Sequence, residues 1–234
     1  MTARGIIFDL DGTLADTLDT IAAALNDGLA SLGLPVHPRE AVAAMDGEGV
    51  GVLCERGLPT DRRAEAGLHA RLMTAVRAAY DAHPMRHARL FDGVAEMVAA
   101  LADDGVRLAV LSNKPHPLTV ATVEGLGVGD RFEVVLGQTD DFPRKPDPSS
   151  ARWILERLGL AADDVLYVGD TPVDMETARA AGLRSIAVTW GFRSRRELEA
   201  CAPDHVVEDA AALVALARGG GARTTGRLGG EGRE

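Results

Sequence analysis

The apolar run Ile6-Ile7-Phe8 ends in two aspartates one residue apart, Asp9 and Asp11, and then turns at Gly12 and Thr13. The run predicts a buried strand, yet it delivers two like charges to one point. Like charges at close range raise each other's pKa and cost stability unless something offsets them. A bound cation is such a device. Its other ligands must come from distant parts of the chain, so the fold has to bring several strand ends together.

Five further apolar, β-branched runs follow, at 106–115, 132–138, 164–172, 183–191 and 204–209. Each stops in turn residues, and continuous runs of this kind suit strands buried on both faces, as in a parallel sheet. Between them lie helical patterns. In 91–105, Val94, Met97, Val98 and Leu101 share one face; 147–160 stops at Gly159 and 174–183 at Gly182. Strand and helix alternating with short links predict an α/β fold with a doubly wound, Rossmann-like parallel sheet. Right-handed crossovers place all strand C-terminal ends on one edge.

One stretch breaks the rhythm. Residues 17–84 read as helical throughout and separate the first strand from the second by far more than one crossover. They predict a helical insert on a core made of residues 1–16 and 85–218, hinged near 15–17 and 84–91. The Gly-rich polar tail, 219–234, predicts disorder.

Composition narrows the partners. A net charge of -10 argues against nucleic acid or an anionic membrane surface. No apolar stretch reaches the ~18 residues of a membrane helix, and the N-terminal apolar run is too short for a secretory signal. A cytoplasmic protein, monomer or homodimer, is expected. Cys54 and Cys201 are far apart and lack metal spacing, which predicts buried, inert thiols. Of 25 basic side chains only Lys114 and Lys145 are lysines, both in Pro-containing turns, SNKP and RKPDP. At least one of these positions is expected to need a compact ammonium rather than a guanidinium. Lys145 is the candidate for chemistry, and Lys114 is expected to face solvent near the entrance.

Four strand ends carry the polar groups: Asp9, Asp11, Gly12 and Thr13; Ser112, Asn113 and Lys114; Lys145; and Asp170 with Asp174. In an open α/β sheet ligands bind at the carboxyl edge. Asp9, Asp170 and Asp174 are hard oxygen ligands suited to Mg²⁺, which takes a few carboxylates plus a substrate phosphate. Ser112, Asn113 and the amides of the Gly12–Thr13 turn are donors for phosphoryl oxygens. Any one of these aspartates could be a simple cap or turn residue, Asp174 for instance the N-cap of 174–182. Their joint order is what points to a site.

DLDGT, SNK, KP and GDTPVD, in that order, resemble the four motifs of the haloacid dehalogenase-like (HAD) phosphohydrolases, and the resemblance spans about residues 4–209. The helical insert looks like that family's C1 cap. SNKP, GDTPVDMETARAAG and VTWGFRSRRELE look particularly like phosphoglycolate phosphatases. The resemblance implies a Mg²⁺-dependent phosphomonoester hydrolase acting on a small phosphorylated metabolite. Asp9 would be the nucleophile that forms an aspartyl-phosphate, and Asp11 the general acid and base. Asp11 would bind Mg²⁺ through its carbonyl, Asp170 as a ligand, and Asp174 directly or through water. Gly12, Thr13, Ser112, Asn113 and Lys145 would hold the phosphoryl group or its loop. Dehalogenases of this type lack the second carboxylate, and phosphonate hydrolases use a cap lysine, whereas this insert contains none. A β-phosphoglucomutase-like enzyme and a non-catalytic phosphate-binding domain remain the alternatives. In the insert, Glu48 and Arg56 are the expected specificity residues, with Glu48 set to repel an anionic substrate such as phosphoglycolate.

Overall fold

The computed structural model describes residues 2–83 and 85–220. Among these residues six strands form one parallel sheet: β1 (Gly5–Phe8), β4 (Arg107–Pro115), β5 (Val134–Gln138), β6 (Val165–Gly169), β7 (Arg184–Val188) and β8 (His205–Val207). Two further strands, β2 (Ala15–Asp16) and β3 (Arg89–Leu90), form a separate antiparallel pair. The sheet order is β5-β4-β1-β6-β7-β8. The chain winds outward from β1 to β5, returns to the other side of β1 at β6, and winds outward again. The direction reverses beside β1, and the crevice at such a reversal is where α/β sheets bind ligands.

The sheet is covered on both faces, which is why its strands read as unbroken apolar runs. Ile6 and Phe8 of β1 pack with α5 (Val94–Asp103) and α10 (Ala210–Ala217). Ile7 points the other way, into a cluster with α7 (Ser149–Leu158) and α8 (Pro172–Ala181). Phe8 meets Phe132 edge to face, ring centroids 6.3 Å apart. The remaining core helices are α6 (His116–Gly125), after β4, and α9 (Arg195–Ala200), after β7. Helix α8 begins at Pro172 rather than at Asp174: Thr171 is its N-cap, and Asp174 completes a capping box from the third helical position.

Between β2 and β3 lie α1 (Leu18–Ser31), α2 (Arg39–Met45), α3 (Val50–Gly57) and α4 (Leu68–Ala82). They share an apolar cluster of their own that includes Leu25, Leu29, Leu53, Leu72 and Val76. The sequence shows the helices but not how the two crossings are joined. Ala15 pairs with Leu90, and Asp16 with Arg89. The buried Asp16 carboxylate ion-pairs with Arg89 and, at 3.4 Å, with Arg39 at the start of α2. The hinge is therefore a short ladder clamped by charge.

Cys54 is buried in the helical unit as expected, but Cys201 at the end of α9 is only half-buried; neither forms a disulfide among the described residues. No described helix is long and apolar enough to cross a membrane. Of the tail expected to be disordered, residues 221–234 lie outside the described residues, as does Pro84 of the hinge.

Leu25 is fully buried at the centre of the helical cluster. Leu25→Ala is expected to destabilise the protein by about 2–5 kcal/mol, read as a lower urea midpoint. A loss below about 1 kcal/mol would show that this cluster does not hold the helices together.

Candidate active site

Asp9 extends β1 by one residue, its N–H donating to the Val168 carbonyl at 2.9 Å. Lys145 reaches it from the loop after β5. Its Nζ lies 2.8 Å from Asp9 Oδ1, 2.8 Å from Asp174 Oδ1 and 3.2 Å from the Leu111 carbonyl oxygen. An ammonium has three protons, so Lys145 is saturated. Asn113 fixes the loop that carries it: Asn113 Oδ1 accepts from the Lys145 N–H at 2.9 Å, and its Nδ2 donates to the Lys145 carbonyl at 3.2 Å. Asn113 was expected to contact phosphate; here its amide is spent on Lys145 and on the Gly47 carbonyl, 3.2 Å away.

Asp170 ends β6 beside Asp9. Its carboxylate accepts from Thr13 Oγ1 at 3.0 Å and from the Phe192 N–H at 2.8 Å. This close approach needs glycine twice. A Cβ on Gly12 (φ 87°) would lie 2.3 Å from Asp170 Oδ2, and one on Gly191 would lie 2.4 Å from Asp170 Cβ. The Gly12–Thr13 turn thus cradles Asp170 instead of a phosphate. The Thr13 hydroxyl goes to the carboxylate, and the Gly12 N–H to the Ala15 carbonyl at 2.9 Å. The Thr13 N–H goes to the Leu10 carbonyl at 3.3 Å, so both amides expected to donate to phosphoryl oxygens are bonded within the turn here. Trp190 Nε1 holds the turn from outside through the Thr13 carbonyl, at 2.9 Å.

Ligand atoms of Asp9, Asp170 and Asp174 all lie within 4.8 Å of one another, and all three residues are buried. Their chemistry fits a hard divalent cation such as Mg²⁺. The fit is uneven, however. Asp174 accepts from Lys145 and Tyr167 on one oxygen and from the Thr171 N–H and hydroxyl on the other. Asp174 thus anchors Lys145 while still standing in the cluster with Asp9 and Asp170.

The electrostatics match this division. Burial, then repulsion from Asp174, pushes Asp170 up to about 7. Burial also raises Asp9 well above the usual carboxylate range, although Lys145 opposes the shift. Burial works against the Lys145 ammonium, but Asp174 and Asp9 more than compensate, and its pKa lies well above the ordinary lysine value. The ionised forms of Asp9 and Asp170 are thus disfavoured by burial unless further positive charge reaches them.

Asp11 forms the next wall. Its Oδ1 accepts from Thr17 Oγ1 at 2.6 Å and from Lys114 Nζ at 3.0 Å. Lys114 does not face solvent as expected: it is 8% exposed and stands 5.1 Å from the centre of the Tyr80 ring. Asp9, Asp11, Ser112, Lys114 and Lys145 line one cavity with Asp46, Arg77 and Tyr80 of the helical unit. The Ser112 hydroxyl accepts from the Lys114 N–H at 3.2 Å and keeps its proton for a ligand. Burial and the neighbouring Asp11 push Asp46 up to about 6.

The expected specificity pair is elsewhere. Glu48 is ion-paired with Arg56, and neither lines the cavity. The stretch before and around Glu48 also turns backbone carbonyls to the core. Arg193 donates to the Ala43 and Asp46 carbonyls at 2.5 and 2.6 Å, and Arg144 to that of Glu48 at 3.1 Å. With Phe192 packed on the helical cluster, segment 190–193 touches the turn, Asp170 and the helical unit at once. Asp46 opens the glycine-rich stretch DGEG, a signal that could have singled it out. Arg77 and Tyr80 carried none, because which α4 side chains meet the cavity depends on how the unit docks.

A sequence model of the haloacid dehalogenase-like hydrolases matches residues 6–188. The phosphoglycolate phosphatase of Pectobacterium atrosepticum is 36% identical over 217 residues, covering 91% of this chain and 92% of that protein. That of Rhodospirillum rubrum is 37% identical, covering 90% and 89%. A solved structure from Lactobacillus delbrueckii subsp. bulgaricus, provisionally described as a phosphoglycolate phosphatase, superposes with a TM-score of 0.87 at 28% identity. It covers 94% of this chain and 100% of that one.

Because folded Asp170 ionises near 7 instead of the ordinary 3.8, its contribution to stability is complete below about pH 4. It is lost as pH rises toward 7. In EDTA, Asp170→Asn is therefore expected to gain melting temperature relative to the unsubstituted protein as pH goes from 4 to 7. A difference that is flat with pH would contradict the assigned environment.

Proposed function

The chain belongs to the haloacid dehalogenase-like hydrolases and is a phosphatase; on that premise we propose that it hydrolyses a small phosphomonoester, phosphoglycolate foremost, through a phosphorylated Asp9. The observation that carries the reading is the convergence on Asp9 of one ammonium, Lys145 at 2.8 Å, and one buried carboxylate, Asp170. In this reading residues 17–84 are the cap and residues 1–16 and 85–218 the catalytic core.

Asp9 attacks phosphorus, and the bond to the ester oxygen breaks. Asp11 gives its proton to the departing alkoxide, then takes a proton from the water that attacks the aspartyl-phosphate. Inorganic phosphate leaves and Asp9 is restored. Only Oδ1 of Asp11 is held, by Thr17 and Lys114, so Oδ2 is left for this proton traffic among the described residues. Lys145 stays an ammonium throughout and stabilises the charge that develops on the phosphoryl oxygens, with Ser112 as a further donor. Asp174 is a positioning residue that fixes Lys145. Asp9, Asp170 and the Asp11 carbonyl would hold Mg²⁺, which supplies positive charge to the phosphoryl oxygens and relieves the repulsion between carboxylates. The docked cap excludes bulk water while Asp11 acts.

The substrate reading draws on the named activity of the relatives and on the cavity. The centre of a water molecule can reach about 50 Å³ of it, which favours a compact ester over a nucleotide. With Glu48 paired to Arg56 away from the cavity, the repulsion expected from it falls away.

Release of inorganic phosphate from phosphoglycolate is expected to require Mg²⁺ and to stop on EDTA addition. Asp9→Asn is expected to lower turnover by at least about 1,000-fold with the melting temperature retained. Turnover that survives this substitution would refute the nucleophile. Lys145→Met is expected to lower kcat by about 100-fold or more, and an unchanged kcat would remove Lys145 from the reaction.

A further inference from the structure

The cavity has one cation that the chemistry of Asp9 does not consume. Lys145 has three acceptors for its three protons. Lys114 is almost as deeply buried, yet among the described residues its ammonium has a single acceptor, Asp11 Oδ1. A buried ammonium with two unspent protons, facing a cavity, is a costly feature unless a ligand completes it. The flat face of Tyr80 on its other side supplies attraction but no acceptor. Arg77, also on the cavity wall, is exposed at the mouth, where water serves it.

The position of Lys114 follows from the role given to Asp11. To protonate the leaving group, Asp11 must come within hydrogen-bond reach of the ester oxygen, about 3 Å. Lys114 Nζ is 3.0 Å from the same carboxylate. Whatever lies two or three bonds beyond the ester oxygen is then within reach of Lys114. In the phosphate ester of a 2-hydroxy acid, those atoms are a carboxylate. Building on the phosphatase reading, we infer that Lys114 is the specificity residue that receives the carboxylate at the far end of the substrate. The same ammonium braces Asp11, so one side chain joins recognition of the leaving group to the group that protonates it. Asp46, on the same wall, disfavours a second anion, and Lys114, on that wall too, supplies positive charge to outweigh it.

The test compares phosphoglycolate with ethyl phosphate, its neutral analogue. The unsubstituted protein is expected to prefer phosphoglycolate in kcat/KM. Lys114→Met should reduce that preference by roughly 10- to 100-fold, mainly through a higher KM for phosphoglycolate. Any loss from unbracing Asp11 lowers kcat for both esters and cancels in the ratio. Lys114→Arg should restore part of the preference. Equal kcat/KM for the two esters in the unsubstituted protein overturns the inference, while turnover of ethyl phosphate leaves the phosphatase reading standing. A ratio unchanged by Lys114→Met, or one abolished by Arg77→Leu instead, overturns the inference as well. Titration calorimetry in an Asp9→Asn background reads the same preference without turnover. There, equal affinity for the two esters overturns the assignment even if no ester is hydrolysed.

Discussion

The ammonium of Lys145, wedged between Asp9 and Asp174, is the contact on which the rest of the structure depends. It pairs with two of three clustered, buried carboxylates, Asp9 and Asp174, so it offsets only part of their charge. The sequence far from the site is arranged to hold it there. Asn113 grips both ends of the Lys145 peptide unit, Thr171 turns Asp174 toward it, and helix α8 starts from the residue that does so. The remaining excess sits on Asp9 and Asp170, which Gly12 and Gly191 allow to approach. On the proposed function, a divalent cation would offset the remaining charge at this cluster.

Docking of the helical unit is tied to the same carboxylates. The segment 190–193 supports the Thr13 carbonyl with Trp190, donates to Asp170 from the Phe192 N–H, and grips two cap carbonyls with Arg193. Bare carbonyl oxygens on the helical unit meet arginine and asparagine donors on the core, beside the apolar contact that Leu118 and Phe192 make with the helical cluster.

Much of this was legible in the chain. Unbroken apolar runs gave all six strands of the main sheet, because a sheet covered on both faces has no alternation to hide. The residues meeting at the crevice were legible from their shared position at strand ends. What failed was direction. Lys114 read as a solvent-facing turn residue, since sequence does not tell that Tyr80 and Asp11 close over it. Glu48 read as a cavity residue and Asp46, two positions earlier, did not, because a glycine-rich loop sets side-chain directions only once docked. Thr13 and Asn113 were expected to hold the phosphoryl group or its loop, and their hydrogen bonds here serve Asp170 and Lys145. These side chains shape the residues that do the chemistry, and motif position alone does not separate the two roles.

The account stands on Asp9 as the group that carries the phosphoryl. Acid quenching during steady turnover of phosphoglycolate with Mg²⁺, followed by peptide mapping, addresses this directly. The account predicts an acid-stable, hydroxylamine-labile phosphate on the peptide containing Asp9. Rapid phosphate release with no label on that peptide, or with label on another residue, would contradict it.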